Sequence, residues 1–160
     1  MQENRIIFEN TVFLDVVAED ANELLALVYQ QLLKDDYVEP GFLEALLQRE
    51  KQYPTGLQGK YQAIAIPHAD PIYVKRSFIA AVRSAQPLQF KEMSGQGKCL
   101  EVQIIFILGL KDGQKQLNSL GALIELFVRS SESALAFMQA ETIEECLEIF
   151  APLQDKVVKE

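Results

Sequence analysis

Residues 102–108 form the longest apolar run in the chain that contains no glycine or proline, and only Gln103 interrupts its apolar character. Such a run is typical of a strand that is buried on both faces, at the centre of a helix-covered sheet. Four shorter segments rich in apolar residues are also predicted strands, over 11–14, 63–66, 77–82 and 87–90.

Segments with helical periodicity separate these strands. Apolar residues recur at helical spacing after Asp20, which predicts a helix over 21–35 with Asp20 as its N-cap. Pro40 is suited to the first turn of a second helix, whose last turns contain Arg49. Pro152 is expected to end the final helix. Three further helices are predicted over about 117–127, 131–139 and 142–150.

Strands and helices alternate along the whole sequence without repeats, low-complexity tracts or linkers. This order predicts a single α/β domain, or a mixed α+β domain, in which helices cover a sheet. A length of 160 residues agrees with one domain. We expect that domain to span 1–160, with its core at about 5–152.

The balance of charge limits the classes of partner. The chain has 15 basic and 23 acidic side chains, and 15 − 23 gives a net charge of −8. This charge argues against nucleic acid or an anionic membrane surface as a partner. The sequence has neither an apolar span of about 20 residues nor the pattern of a signal peptide. We therefore expect a cytoplasmic protein without membrane insertion.

The only histidine, His68, follows the predicted strand 63–66 and lies between Pro67 and Pro71. Pro67 cannot donate to a sheet ladder, so it ends the strand and places His68 at the strand tip. Two interpretations fit: a neutral ring that only caps a strand, and a functional ring on a rigid loop. One histidine and two distant cysteines do not give the spacing of a metal site. Counting residues does not exclude a Ser-His-Asp triad, although no Gly-x-Ser-x-Gly motif is present.

Three neighbouring segments carry a resemblance to a known family. They read Arg-Glu at 49–50, Tyr-Pro-Thr-Gly-Leu at 53–57 and Ile-Ala-Ile-Pro-His at 64–68. Together they resemble the fructose–mannitol type of enzyme IIA (EIIA type 2) of the sugar phosphotransferase system. The segments at 53–57 and 67–70 are most similar to galactitol-type members. The resemblance covers nearly the whole chain and implies a mixed parallel and antiparallel sheet of about five strands flanked by helices.

The resemblance implies a phosphotransferase that needs no cofactor or metal. His68 would accept a phosphoryl group from the phosphocarrier protein HPr and pass it to a cysteine of a IIB subunit. That subunit serves the membrane subunit IIC, for uptake of a hexitol such as galactitol. A neutral imidazole nitrogen suits this role because it is nucleophilic near pH 7. Members of the family attack through Nε2, and the sequence does not identify the group that holds Nδ1.

The same resemblance supplies three further site residues. Arg49 occupies the place of an active-site arginine, whose planar guanidinium suits a phosphoryl group; the alternative is a solvated charge at a helix end. Thr55 either offers its hydroxyl or amide to the phosphate, or serves only the turn. Gln116 stands where mannitol-type members have a second histidine. It can donate a hydrogen bond, but it does not titrate near neutral pH.

Two other functions remain open at this point. Nitrogen-regulatory relatives use a similar histidine to signal to a partner protein instead of feeding transport. The histidine of a structural α/β protein would be inert and would accept no phosphoryl group. The Tyr-Pro-Thr-Gly segment favours transport over regulation.

Overall fold

The computed structural model describes residues 5–158. Its sheet contains five strands: β1 (Val12–Val16), β2 (Gly56–Leu57), β3 (Ala63–Ala65), β4 (Phe78–Lys91) and β5 (Cys99–Gly109). Its α-helices are α1 (Ala21–Lys34), α2 (Phe42–Gln52), α3 (Gly113–Leu123), α4 (Glu132–Gln139), α5 (Ile143–Ile149) and α6 (Ala151–Val158). Residues 1–4 and 159–160 lie outside the described range, so the domain boundaries 1–160 stay a prediction.

The strands are arranged in the order β1-β4-β5-β3-β2. The pairs β1–β4 and β3–β5 are parallel, and the pairs β4–β5 and β2–β3 are antiparallel. The expected mixed sheet of about five strands is therefore confirmed. β5 lies at its centre, as the long apolar run 102–108 predicts.

Alternate residues of the strands point to opposite faces and build two hydrophobic cores. In β5, Ile105 and Ile107 face the core under α1 and α2. Ile104, Phe106 and Leu108 face the core under α3–α6. Because both faces of the sheet are covered, the strand tips and the loops between the layers are the places left for a functional site.

Asp20 is the N-cap of α1, as its position before the periodic segment predicts. Its carboxylate accepts a hydrogen bond from the Glu23 amide at 2.8 Å. α2 begins at Phe42, after the N-cap Gly41, so Pro40 precedes the first turn instead of occupying it. The two helices follow each other closely and form the layer that contains Arg49.

Two prolines do not end the elements in which they lie. Residues 77–82 and 87–90 are not separate strands but parts of the single strand β4, which includes Pro87. The pairing with β5 slips between Arg83 and Leu88, so a bulge accommodates the missing amide proton of Pro87. The predicted final helix, 142–150, ends as α5 at Ile149, before Pro152, but a further helix that was not predicted follows it: Pro152 lies in the first turn of α6, where no intrahelical amide bond is required.

Arg83 joins three parts of the fold. Its Nε and Nη2 donate to the two carboxylate oxygens of Asp15 in β1, at 2.9 and 3.0 Å. Its Nη1 donates to the carbonyl oxygens of Phe137 and Ala140 at the end of α4, both at 2.7 Å. Arg83 is only 7% exposed. Its loss would leave buried carbonyl groups without a donor.

We expect Arg83→Met to lower the free energy of unfolding by about 2–4 kcal/mol, because it leaves the two buried carbonyl oxygens of Phe137 and Ala140 without their donor. Urea unfolding followed by circular dichroism measures this change. Lys91→Met, at the exposed end of the same strand, is the matched control and should change stability by less than about 0.5 kcal/mol. Equal losses for the two variants would contradict the structural role of Arg83.

Within the described residues, no helix combines the length and apolar character needed to cross a bilayer.

Candidate active site

His68 lies just beyond the tip of β3, beside the end of the central strand β5. The carbonyl oxygen of Pro67 accepts a hydrogen bond from the Leu108 amide at 3.0 Å. An isolated parallel bridge then pairs His68 with Leu108 itself. The histidine is therefore placed by an extension of the sheet, as its position after the strand predicts, and not by a flexible loop.

The hydrogen bond of the His68 ring defines its tautomer. Nδ1 lies 2.9 Å from the carbonyl oxygen of Ile66. A carbonyl oxygen can only accept, so Nδ1 carries the proton and donates it. In the neutral ring Nε2 is then unprotonated and has a free lone pair. The backbone of Ile66 is thus the group, not identifiable from the sequence, that holds the second nitrogen.

The surroundings of His68 favour the neutral ring. Burial lowers the pKa of His68 below its ordinary value of 6.5 because it disfavours the charged form. The hydrogen bond to Ile66 acts in the opposite direction, and the positive charge of Arg49 lowers the pKa further. The ring is half-buried, so one side remains accessible. A neutral, accessible imidazole with a free Nε2 is a nucleophile at neutral pH.

Arg49 is in the last turn of α2, close enough to His68 for its charge to act on the imidazole. Its guanidinium lies over the Tyr53 ring, 5.2 Å from the ring centroid. The side chain is exposed. Arg49 is therefore an exposed cation whose charge acts on His68, and its role at the site stays a prediction.

Glu50 and Thr55 form the inner side of the site. The Glu50 carboxylate accepts the Thr55 hydroxyl at 2.8 Å and the Thr55 amide at 3.0 Å. The Thr55 oxygen in turn accepts the Ile66 amide at 3.0 Å. Burial raises the pKa of Glu50 above its ordinary value, although the two hydrogen bonds from Thr55 act in the opposite direction. Both donors of Thr55 are engaged inside the protein, so neither is left for a phosphoryl group, and Thr55 supports the segment that carries His68.

Asp70 and Gln116 lie in the segments that follow the strands β3 and β5. Asp70 accepts the Ile72 amide at 3.0 Å and caps a short 3₁₀ turn. Gln116 is half-buried in α3, which begins soon after Leu108. Between residues 5 and 158 no hydrogen bond joins Gln116 to His68, so its role at the site stays a prediction.

The described part of the chain contains no set of ligands for a resident metal ion. No three side chains of the kinds His, Cys, Asp or Glu come together there. The site as described consists of one imidazole, one guanidinium and a supporting network of hydrogen bonds. Such a set can accept a group on Nε2 and stabilise negative charge beside it.

Comparison with known proteins agrees with this chemistry. The family model "Phosphoenolpyruvate-dependent sugar phosphotransferase system, EIIA 2" matches residues 5–152. The galactitol-specific EIIA component of Escherichia coli (strain K12) is 30% identical over 104 residues, which cover 65% of this chain and 69% of that protein.

Solved structures share the fold at lower identity. Enzyme IIA for mannitol from Escherichia coli, in its complex with phosphorylated enzyme IIB, has a TM-score of 0.71 and 23% identity, covering 92% of this chain and 97% of that one. The nitrogen regulatory protein IIA-Ntr from Neisseria meningitidis has a TM-score of 0.69 and 23% identity, covering 94% and 100%. The chain belongs to the EIIA type 2 family of the phosphoenolpyruvate-dependent sugar phosphotransferase system and is a phosphotransferase component.

Proposed function

We propose that this chain is a phosphoryl carrier that acts on the cytoplasmic side of a galactitol-type transport system. Nε2 of His68 accepts a phosphoryl group from phospho-HPr and transfers it to a cysteine of a IIB subunit. The observation that carries the proposal is the hydrogen bond from Nδ1 of His68 to the Ile66 carbonyl, which leaves Nε2 as the free nucleophile.

The geometry supports both transfer steps. In the first step, the lone pair of Nε2 forms a bond to phosphorus while the bond between phosphorus and the donor breaks. The proton stays on Nδ1, where the Ile66 carbonyl accepts it throughout. In the second step, the cysteine thiolate forms the new bond to phosphorus. His68 then leaves as a neutral imidazole, because Nδ1 is already protonated, which makes the nitrogen–phosphorus bond easy to transfer.

In this proposal, the positive charge of Arg49 stabilises the negative charge of the transferred phosphoryl group. The transferred phosphoryl group carries negative charge on its three equatorial oxygens in the transition state. An exposed guanidinium near His68 can bind two of these oxygens through its planar fork. This assignment makes Arg49 the catalytic partner of His68.

The relatives support the choice of transport system and of the protein that accepts the phosphoryl group from His68. A galactitol-specific EIIA component is 30% identical to the chain, which supports a hexitol transport system. The mannitol relative was solved in complex with phosphorylated IIB, which supports a IIB subunit as the acceptor. The fold alone is equally compatible with a regulatory module such as IIA-Ntr. That alternative predicts the same phosphorylated His68 but a different acceptor.

A reconstituted transfer reaction tests the proposal. The chain is incubated with phosphoenolpyruvate, enzyme I and HPr, and its intact mass should rise by about 80 Da, the mass of one phosphoryl group. Addition of excess galactitol-type IIB subunit to the phosphorylated chain, after the chain has been separated from phosphoenolpyruvate, enzyme I and HPr, should then return its mass to the starting value and phosphorylate the IIB cysteine. A stable phosphorylated chain that does not transfer to IIB would favour the regulatory function. An unmodified chain, with a control IIA modified in the same mixture, would exclude the phosphoryl carrier.

The pH dependence of His68 provides a direct check. Burial and the Arg49 charge lower its pKa, so the ring should remain mostly neutral at pH 6.5, where a free imidazole is half-protonated. The chain has a single histidine, so one ring Cε1–H signal reports its titration in an untagged protein. Proton NMR should give a midpoint below 6.5. Arg49→Met should move this midpoint to higher pH because it removes a nearby positive charge; a midpoint above 6.5 in the native protein would contradict the burial of the ring.

A further inference from the structure

A continuous series of hydrogen bonds leads from Glu50 to the His68 ring. The hydroxyl of Thr55 donates to Oε1 of Glu50, and the Ile66 amide donates to the oxygen of that hydroxyl. The carbonyl of the same Ile66 residue accepts the proton of His68 Nδ1. The three distances are 2.8, 3.0 and 2.9 Å.

In each hydrogen bond of this series, the donor and the acceptor are fixed by the chemistry of the two groups. A backbone amide can only donate, so the Thr55 oxygen must accept from Ile66. The single hydroxyl proton of Thr55 is then available for Glu50. A carboxylate can accept this proton on one oxygen and the Thr55 amide on the other, as the structure shows. A carboxamide has only one accepting oxygen and cannot accept both bonds with the same geometry.

Burial makes these bonds obligatory. Thr55 is 4% exposed and Ile66 is 1% exposed, so bulk water has little access to replace a lost partner. A buried donor without a partner is costly, and the segment would shift to satisfy it. Ile66 lies directly before Pro67, whose carbonyl oxygen accepts the Leu108 amide at 3.0 Å. The bond from Thr55 therefore sets how the Ile66 residue is oriented toward His68.

We infer that Glu50 is a positioning residue for phosphoryl transfer: through Thr55 it holds Ile66 so that the Ile66 carbonyl keeps the His68 proton on Nδ1. This inference rests on the proposed role of His68 as phosphoryl acceptor. Glu50 touches neither the imidazole nor the transferred group in this assignment. Its effect is to keep Nε2 unprotonated and correctly aimed.

Three variants and one control test the inference. Glu50→Gln preserves the shape of the side chain but removes one acceptor. Thr55→Val removes the hydroxyl, and Thr55→Ser retains it. Glu44→Gln changes an exposed carboxylate on the same helix and serves as the control. Nitrogen-15 NMR of the unphosphorylated protein at neutral pH measures which His68 nitrogen carries the proton, and single-turnover assays with phospho-HPr measure the transfer rate.

We expect Glu50→Gln to raise the fraction of His68 protonated on Nε2 and to slow transfer by about 10- to 100-fold, because small misplacements of a reacting group have effects of this size. The concentration of phospho-HPr at half-maximal rate should stay the same. Thr55→Val should behave in the same way, while Thr55→Ser and Glu44→Gln should resemble the native protein. If Thr55→Val does not fold, Glu50→Gln and Thr55→Ser still decide the question.

Two results would overturn the inference. One is an unchanged tautomer and transfer rate in Glu50→Gln. The other is a slower transfer with an unchanged tautomer, which would make Glu50 important for another reason. The tautomer measurement needs no phosphoryl donor. A native chain that is never phosphorylated would therefore refute the proposed function and leave the hydrogen-bond series itself testable.

Discussion

His68→Ala is expected to abolish phosphorylation completely. The variant should show no gain of about 80 Da after incubation with phosphoenolpyruvate, enzyme I and HPr, while the native chain gains one phosphoryl group. The loss should be complete because the chain contains no second histidine that could replace it. The group on the native chain should be released in acid, as expected for a phosphoramidate.

The fold should survive this substitution. The ring is half-buried, and its hydrogen bond is made to its own segment, so the variant loses few contacts with the core. Circular dichroism and urea unfolding should show a native-like protein, which separates a chemical defect from an unfolded chain. Phosphorylation of the folded His68→Ala variant would show that another residue is the acceptor.

The second large effect is expected for Arg49→Met. Its removal should slow phosphoryl transfer by about 10²- to 10³-fold, the range found when one donor to a charged transition state is lost. Arg49→Lys should recover only part of the rate, because an ammonium group retains the charge but not the planar fork. Rapid-quench measurement of transfer from phospho-HPr gives these rates.

A neighbouring lysine provides the control for Arg49. Lys51 is an exposed cation in the same helical turn, so Lys51→Met removes an equal charge without a role at His68. Both variants should fold normally, since both side chains are exposed. Equal rate losses in the two variants would mean that Arg49 acts only through the overall charge of the surface and makes no specific contact.

The elements of the fold could be predicted where one local pattern determined them. The apolar run 102–108 predicted the central strand, and the helix predicted over 142–150 begins as α5 at Ile143, after a capping box in which Thr142 and Glu145 form both reciprocal bonds. The prediction of separate strands over 77–82 and 87–90 was wrong, because the effect of a proline depends on the strand or helix beside it. Pro87 is tolerated only because β4 bulges at that point, and a bulge is visible only in the paired structure.

The same holds for the site: features set by neighbouring residues could be predicted, and contacts between residues distant in the sequence could not. The position of His68 follows from the strand and the proline next to it, so the sequence predicts it. Its tautomer depends on the Ile66 carbonyl, and the importance of Thr55 depends on β2 pairing with β3. The two-residue strand β2 has no recognisable periodicity. The sequence therefore left two roles open for Thr55, a ligand for phosphate or a turn residue, and the structure shows both of its donors bonded to Glu50.

The pairing of β3 with β5 also determines the order in which the site can form. Ala63 pairs with Val102, which is far along the chain, whereas β4 and β5 are joined by the short segment 92–98. Local hairpins close quickly, and parallel pairs with long connections form slowly. During synthesis, His68 leaves the ribosome well before Leu108, its partner in the sheet. The nucleophile is thus made early but acquires its orientation late, so a chain that has not completed β5 is not yet a functional carrier.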